Sequence, residues 1–379
     1  RILQGIGASL MLISVDTILP VLIELKEKYN TKIYFIVFEE MAYKGIRSNI
    51  VINDAVNYAG NLIYIGFGIQ NKLLKRLVRI LQIARFYLHS IFGAKIIHFG
   101  ALEKGFLNTI FTPFKGNAFF SESSAFSHTP EKYRVVFSGK NESPPFGESL
   151  IAYTDDECWL QRLGVDKKKL FKFGPTRVRD SWLRHSYDKA DEYFDKTHFG
   201  LNYKKGYFVI ILSTLGEAVW LSEGDTAKPL LSDILEELSL THSNKNILIK
   251  PHVTTDLRVM NSIIKRFHFK SIQITYLHPS VLSKFAYAFI GTMYSSTFAD
   301  AVSLGVKTIE YTNYNKKILK ETGGRSVGHE FVTFFINNNK AELKSVLSNI
   351  ECSIPAVIKK SNYSKSCNDS SGLLKILSS

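Results

Sequence analysis

Short apolar runs alternate with longer stretches in which apolar residues recur at three- and four-residue spacing, and this alternation continues along most of the chain. In the first half, Ser9–Ser14 reads as a strand, Thr17–Tyr29 as a helix and Lys32–Phe38 as a strand. Asn61–Ile65, Ala94–His98 and Ala118–Ser121 read as further strands, each followed by a polar or glycine-containing loop. The uncharged stretch Ile2–Val15 has the look of a signal-sequence core. It runs into Asp16 without a clear cleavage site and is read as a buried strand. The second half is more regular. Tyr207–Leu212, Asn246–Ile249, Ser271–Tyr276, Ala286–Ile290 and Thr308–Tyr311 read as strands, separated by helical patterns at Lys228–Leu240, Asp256–Phe267, Pro279–Phe285 and Ser296–Leu304.

Strands separated by helices imply parallel sheets. A length of 379 residues is too great for one compact core and fits two α/β domains. Between them, Asp180–Lys205 is charged and aromatic without a strand pattern, as a connection would be, and the stretch from Ser361 onward is rich in Ser, Asn and Lys. The expectation is therefore a Rossmann-like, doubly wound domain over residues 1–200, a second over 201–355 and a loose tail over 356–379. Two such domains facing a cleft resemble the GT-B architecture of glycosyltransferases, an analogy of fold that carries no chemistry by itself. No run reaches the roughly 18 uninterrupted apolar residues that a spanning helix needs.

Charge narrows the partners. Lys and Arg number 48 against 34 Asp and Glu, a formal +14 that calls for an anionic partner: nucleic acid, an acidic membrane or a phosphorylated substrate. Six of the cations, Lys72, Lys75, Arg76, Arg79, Arg85 and Lys95, lie in a stretch from Ala55 to Leu102 that has no Asp or Glu. On a helix, Lys72, Lys75, Arg76 and Arg79 share one face, while Leu73, Leu74, Leu77, Leu81, Leu88 and Ile91 supply apolar surface. Such a helix suits either the interface of an anionic bilayer or ordinary packing on the sheet. Cys158, Cys352 and Cys367 match no zinc or redox spacing, and the sequons at Asn141, Asn362 and Asn368 are short enough to arise by chance. A reducing, cytoplasmic compartment is expected, with a peripheral position at the inner face of the cytoplasmic membrane.

Four segments carry candidate chemistry. In Asn246–Asp256 a buried strand ends in Lys250, Pro251 and His252, followed by Thr254 and Thr255, either of which can cap the next helix. Ligands of doubly wound sheets sit at the carboxyl ends of strands, and an ammonium beside an imidazole N–H suits a phosphate. In Ile290–Val306 a strand gives way to Ser295, Ser296 and Thr297 at a helix start, which offers hydroxyls and free N–H groups to an anion. The loop Leu212–Lys228 holds Asp225 after Gly224, with Glu217 and Glu223 as competing carboxylates. Asp225 could attack an anomeric carbon or equally cap the following helix. In the first half Glu122 follows the strand Ala118–Ser121 and could serve as general base for an acceptor hydroxyl. His98 reads as a core residue. A Walker sequence and a GxGxxG after the first strand are both missing, so P-loop and simple dehydrogenase readings lose their support.

The order of VIILS, SEGDTAKPLLSDILEEL, ILIKPH and the Ser-Ser helix start ending in Leu-Gly, over residues 207–312, resembles the glycosyltransferases of bacterial surface polysaccharides. Within that group it is most similar to the retaining β-Kdo transferases of capsule and O-antigen synthesis. The resemblance implies a CMP-activated acidic sugar as donor, retention through a carboxylate nucleophile, and neither metal nor cofactor. On it, Asp225 is the nucleophile, Lys250, His252, Ser295 and Ser296 hold the CMP phosphate with help from Thr297, and Glu122 activates a glycan or lipid-linked glycan acceptor. The loop SESSAF lacks the longer acidic motif of the family, which leaves the acceptor side open. The same phosphate elements recur in inverting sialyltransferases that use CMP-sialic acid and in CDP-glycerol-type transferases, which are the alternatives. A basic membrane-binding module without activity is a third. Nucleic acid has no motif behind it.

Overall fold

The computed structural model describes residues 2–6, 11–65, 69–103, 105–121, 146–147, 149–152, 169–173, 176–198, 206–218, 220–252, 254–269, 271–350 and 370–379. Its internal contacts divide the chain into two units, residues 1–185 with 359–379, and residues 186–358. The first division falls at His185/Ser186, inside a helix rather than in an unstructured connection.

In the first unit seven strands, β1 (Ile2–Ile6), β2 (Ile33–Val37), β3 (Asn61–Tyr64), β4 (Lys95–His98), β5 (Ala118–Ser121), β6 (Ser149–Ala152) and β7 (Leu170–Lys172), form one parallel sheet in the order β3-β2-β1-β4-β5-β6-β7. Register is direct, with Ile2 opposite both Ile33 and Lys95. The helices are α1 (Met11–Tyr29), α2 (Glu40–Ser48), α3 (Ile50–Ala59), α4 (Lys72–Ile91), α5 (Gly105–Phe111) and α6 (Asp180–Asp188). All five residues of β2 are buried, as expected of a strand covered on both faces. On α1, Val15, Ile18, Leu19, Leu22 and Leu25 are buried at helical spacing.

The strand expected at Ser9–Ser14 is not there: the strand is Ile2–Ile6, and the helix already runs from Met11. A continuous apolar run has no period of its own, and the 3,4-spacing that begins at Val15 extends backwards through it. The stretch read as a connection holds two helices, α6 and α7 (Ala190–Thr197). Before α6 the chain is tied to α1 by ion pairs, Arg177 with Asp16 and Arg179 with Glu24 at 2.7 Å.

The second unit repeats the pattern. Strands β8 (Tyr207–Ile211), β9 (Asn246–Lys250), β10 (Ser271–Ile274), β11 (Ala286–Gly291), β12 (Lys307–Thr312) and β13 (Phe334–Asn337) are parallel in the order β10-β9-β8-β11-β12-β13. Tyr207 lies opposite Asn246 on one side and Ala286 on the other. The helices are α8 (Ala227–Thr241), α9 (Leu257–Ile264), α10 (Pro279–Phe285), α11 (Phe298–Ser303), α12 (Lys316–Thr322) and α13 (Lys340–Ser348). α7 packs on α10 through Phe194 and Phe285, whose rings are 4.6 Å apart, and through Lys284 to Asp191 at 2.6 Å. β13 and α13 extend the sheet beyond the last strand that the pattern predicts.

The expected tail contains α14 (Ser370–Ser378), which belongs to the first unit and buries Leu373, Leu374 and Leu377. Three leucines on one helix face outweigh the polar composition around them. No helix among the described residues is long and apolar enough to cross a membrane.

Candidate functional site

In the second unit the strand order reverses between β8 and β11, the place where doubly wound sheets open a crevice for ligands. Three loops meet beyond these strand ends. The Ser213 hydroxyl, just after β8, lies 3.2 Å from that of Thr292, just after β11. From the loop after β9, the Thr255 hydroxyl donates to the Ser213 carbonyl at 3.4 Å, and the Leu212 N–H donates to the Lys250 carbonyl at 3.0 Å. Ser213, Thr255 and Thr292 thus gather hydroxyls at the switch point. Their partners stand 42 and 79 residues apart in sequence, so no local pattern marks them.

Lys250 is the last residue of β9, half-buried, with Nζ donating to the Tyr276 carbonyl at 3.4 Å. His252 is exposed two residues on. Its Nδ1 accepts the Thr254 N–H at 3.3 Å, so the Thr254 hydroxyl, 2.8 Å away, also donates to it and the ring proton sits on Nε2. Desolvation lowers the imidazole pKa, which favours the neutral ring with its proton on Nε2. Neither threonine caps the next helix. That role falls to Asp256, whose Oδ1 accepts the N–H groups of Arg258 at 2.8 Å and Val259 at 3.3 Å. A carboxylate at the N-cap also suits the helix dipole.

After β11, the Ser295 hydroxyl accepts the Thr297 N–H at 3.3 Å and lies 2.9 Å from the Thr297 hydroxyl. The helix expected from Ser296 begins only at Phe298, because the Phe298 N–H returns to the Ser295 carbonyl at 2.9 Å in a tighter turn. Ser295, Ser296 and Thr297 are all half-buried on this turn. Its position depends on Gly291. A Cβ there would stand 2.7 Å from the Phe298 ring and 2.8 Å from the Met293 carbonyl oxygen. Gly291→Ala is expected to destabilise the protein by about 1–3 kcal/mol through overpacking, read by denaturant titration, and to weaken binding of a phosphate-bearing ligand. Unchanged stability and binding would show that the turn is not set by this approach.

The loop after β8 crosses to the β12 side. The Ser222 N–H donates to the Asn313 carbonyl at 3.0 Å and the Asn315 N–H to the Trp220 carbonyl at 3.0 Å, while Glu217 and Thr226 form an antiparallel bridge. Gly224, at φ +77°, makes the turn that leads into Asp225. Asp225 is exposed and its Oδ2 accepts from Asn313 Nδ2. The N-cap of α8 is Thr226, so the carboxylate is not spent on capping. Glu217 and Glu223 are exposed on the same loop. Glu122 lies outside the described residues.

Sequence reasoning missed a polar group beside this loop. Glu310 on β12 is fully buried and accepts from the Tyr314 hydroxyl, whose oxygen takes the Tyr294 N–H at 3.2 Å. Burial pushes the Glu310 carboxyl up to about 7, and the Ser326 hydroxyl, the Tyr314 hydroxyl and the Tyr294 amide offset only part of it. The cluster joins the loop after β11 to the loop after β12, and so links the Ser295–Thr297 turn to the Asp225–Asn313 contact. In the first unit His98 is buried, its Nε2–H donating to the Phe146 carbonyl at 2.8 Å and its Nδ1 accepting the Gly100 N–H at 3.2 Å. Desolvation lowers it to about 4, a neutral structural residue. No group of three His, Cys, Asp or Glu side chains among the described residues could hold a metal ion.

No protein-family model matches the chain, and no curated protein matches its sequence. Solved structures do match its fold. The UDP-GlcNAc 2-epimerase of Methanocaldococcus jannaschii, in complex with UDP-GlcNAc and UDP, superposes with a TM-score of 0.56 at 17% identity, over 99% of this chain and 98% of that one. The UDP-GlcNAc 2-epimerase of Neisseria meningitidis bound to UDP-GlcNAc gives 0.56 at 13% identity, over 99% of each chain. The UDP complex of LpCGTa gives 0.51 at 9% identity, over 99% of this chain and 98% of that one. This chain therefore has the GT-B fold of two Rossmann-like domains.

Proposed function

We propose that this chain is a glycosyltransferase that uses a nucleotide-activated sugar, with the donor phosphate held by Lys250, His252 and the Ser295–Thr297 turn and with Asp225 as nucleophile. The observation that carries the reading is the meeting of the Ser213, Thr255 and Thr292 hydroxyls at the switch point of the second sheet, with Lys250 ending β9, His252 following it and the Ser295–Thr297 turn following β11. Such groups neutralise charge as a nucleotide phosphate departs. Attack by the Asp225 carboxylate on the anomeric carbon forms a glycosyl ester while the bond from that carbon to the phosphate oxygen breaks, its electron pair leaving with the nucleotide. An acceptor hydroxyl then displaces the carboxylate, with overall retention. Glu122 is the sequence candidate for taking its proton.

For the donor, the resemblance of residues 207–312 to the β-Kdo transferases supports CMP-β-Kdo, with a bacterial O-antigen or capsule glycan as acceptor. A second reading, a UDP-sugar donor, is favoured by the solved complexes of this fold, which hold UDP or UDP-GlcNAc. Incubation with CMP-Kdo, CMP-sialic acid, CDP-glycerol and UDP-GlcNAc in parallel, followed by release of nucleotide, separates them. Turnover of CMP-Kdo supports the first reading, and turnover of UDP-GlcNAc alone replaces it with the second. With whichever donor turns over, Lys250→Ala and His252→Ala should each raise KM about tenfold, the loss of one charge-assisted or phosphate-directed hydrogen bond. Unchanged KM in both variants would move the phosphate elsewhere.

A further inference from the structure

A surface helix of a globular domain ordinarily turns its apolar stripe to the core. α4 turns much of its stripe outward. It is seated on the first unit by the side that carries Phe86 and Ser90, both buried, with Ile83 packed on the same core. Leu73, Leu77, Ile80, Leu81, Leu88 and Ile91 fall within an arc of about 100° on the opposite side of the helix. Leu73 is 80% exposed, Leu77 54%, Leu81 60% and Leu88 53%. Phe92, at the C-terminal end, is 80% exposed. Arg76 and Arg85 are exposed on the two flanks of this stripe, and no acidic residue occurs from Ala55 to Leu102.

An exposed apolar face of this extent marks an interaction surface. Charge identifies the occupant. A second copy docking face to face would bring the same arginines against each other with no carboxylate on either helix to offset them. An anionic lipid surface offers both what the leucines need and what the arginines need. We infer that α4 docks this protein on an anionic phospholipid surface, lying in the interface with Leu77, Leu81 and Leu88 among the acyl chains and Arg76 and Arg85 at the headgroup phosphates. The inference goes beyond glycosyl transfer and does not depend on it.

The test is sedimentation of the full chain with vesicles of phosphatidylcholine alone or mixed with phosphatidylglycerol. The protein should follow the mixed vesicles, with partitioning at least about tenfold weaker on phosphatidylcholine alone. Leu77→Glu with Leu81→Glu, and separately Arg76→Glu with Arg85→Glu, should each weaken it about tenfold or more, with thermal melts like that of the wild type because all four side chains are exposed. Hydrogen exchange of wild-type residues 72–91 should slow on mixed vesicles, a measurement that needs no variant. The inference is overturned if the wild type stays in solution with mixed vesicles or if its helix exchange is unaltered. It is equally overturned by a concentration-dependent dimer that Leu77→Glu with Leu81→Glu disperses.

Discussion

Asp225→Asn is expected to lower sugar transfer by at least about 10³-fold while leaving nucleotide binding nearly intact. The loop around it does not depend on the carboxylate. Its course is set by the backbone bonds from Asp225 N–H to the Ser222 carbonyl at 2.9 Å and from Ser222 N–H to the Asn313 carbonyl at 3.0 Å. The positive φ of Gly224 supplies the turn, and Thr226 holds the N-cap of α8. An asparagine retains an oxygen for the Asn313 amide and loses only the negative charge and the nucleophile. Full activity in the variant would remove Asp225 from the chemistry. Loss of nucleotide binding together with activity would make it a structural residue of the loop.

Glu310→Gln should change how stability depends on pH by about 3 kcal/mol. The carboxyl titrates near 7 in the folded chain, against an ordinary value of 4.5, because burial disfavours its charge. Between those values the folded state holds the extra proton, so the stabilisation from Glu310 is complete below about 4.5 and is lost as pH rises through about 7. Glutamine imitates the protonated form and keeps an acceptor for the Tyr314 hydroxyl. The variant should therefore gain on the wild type from pH 4.5 to pH 8, as read by urea titrations at each pH. His98 works in the opposite sense. Neutral when folded and lowered to about 4, it destabilises as pH falls from about 6.5 to about 4. That contribution is common to both proteins and cancels in the difference. Parallel stability curves for wild type and variant would contradict a buried, protonated Glu310.

The alternation of strands and helices is readable where a strand is a short apolar run bounded by turn residues, as in β8, β9 and β11, while β13 lies beyond the pattern. Ala118–Ser121 and Pro279–Phe285 have the bounds that the pattern predicts. It misled where an apolar run carries no period, at Ile2–Val15, and where amphipathic helices are rich in charge and aromatics, as in α6 and α7. Lys250 and His252 stand out in a sequence because a Lys-Pro-His follows directly on a buried strand. The long-range contacts that assemble the other loops of the site do not. Ser213 meets Thr292 across 79 residues, and Asn313 reaches Asp225 across 88. Glu310 and Tyr314 are only four residues apart, yet what raises the carboxyl is the depth of β12 in the sheet, which becomes visible only once β13 and the loop at Ser326 cover it. The outward stripe of α4 shows the same limit: the sequence displays leucines and arginines on one helix, and the packing of Phe86 and Ser90 decides which side meets the core.

In the proposed mechanism Asp225 takes the sugar from a nucleotide held in the second unit. Intact-protein mass spectrometry after incubation with CMP-Kdo in the absence of acceptor tests it most directly. A single glycosyl adduct that maps to Asp225, absent from Asp225→Asn, is the predicted result. Turnover of the donor by a wild-type protein that carries no adduct, or an adduct that persists in the variant, would contradict it.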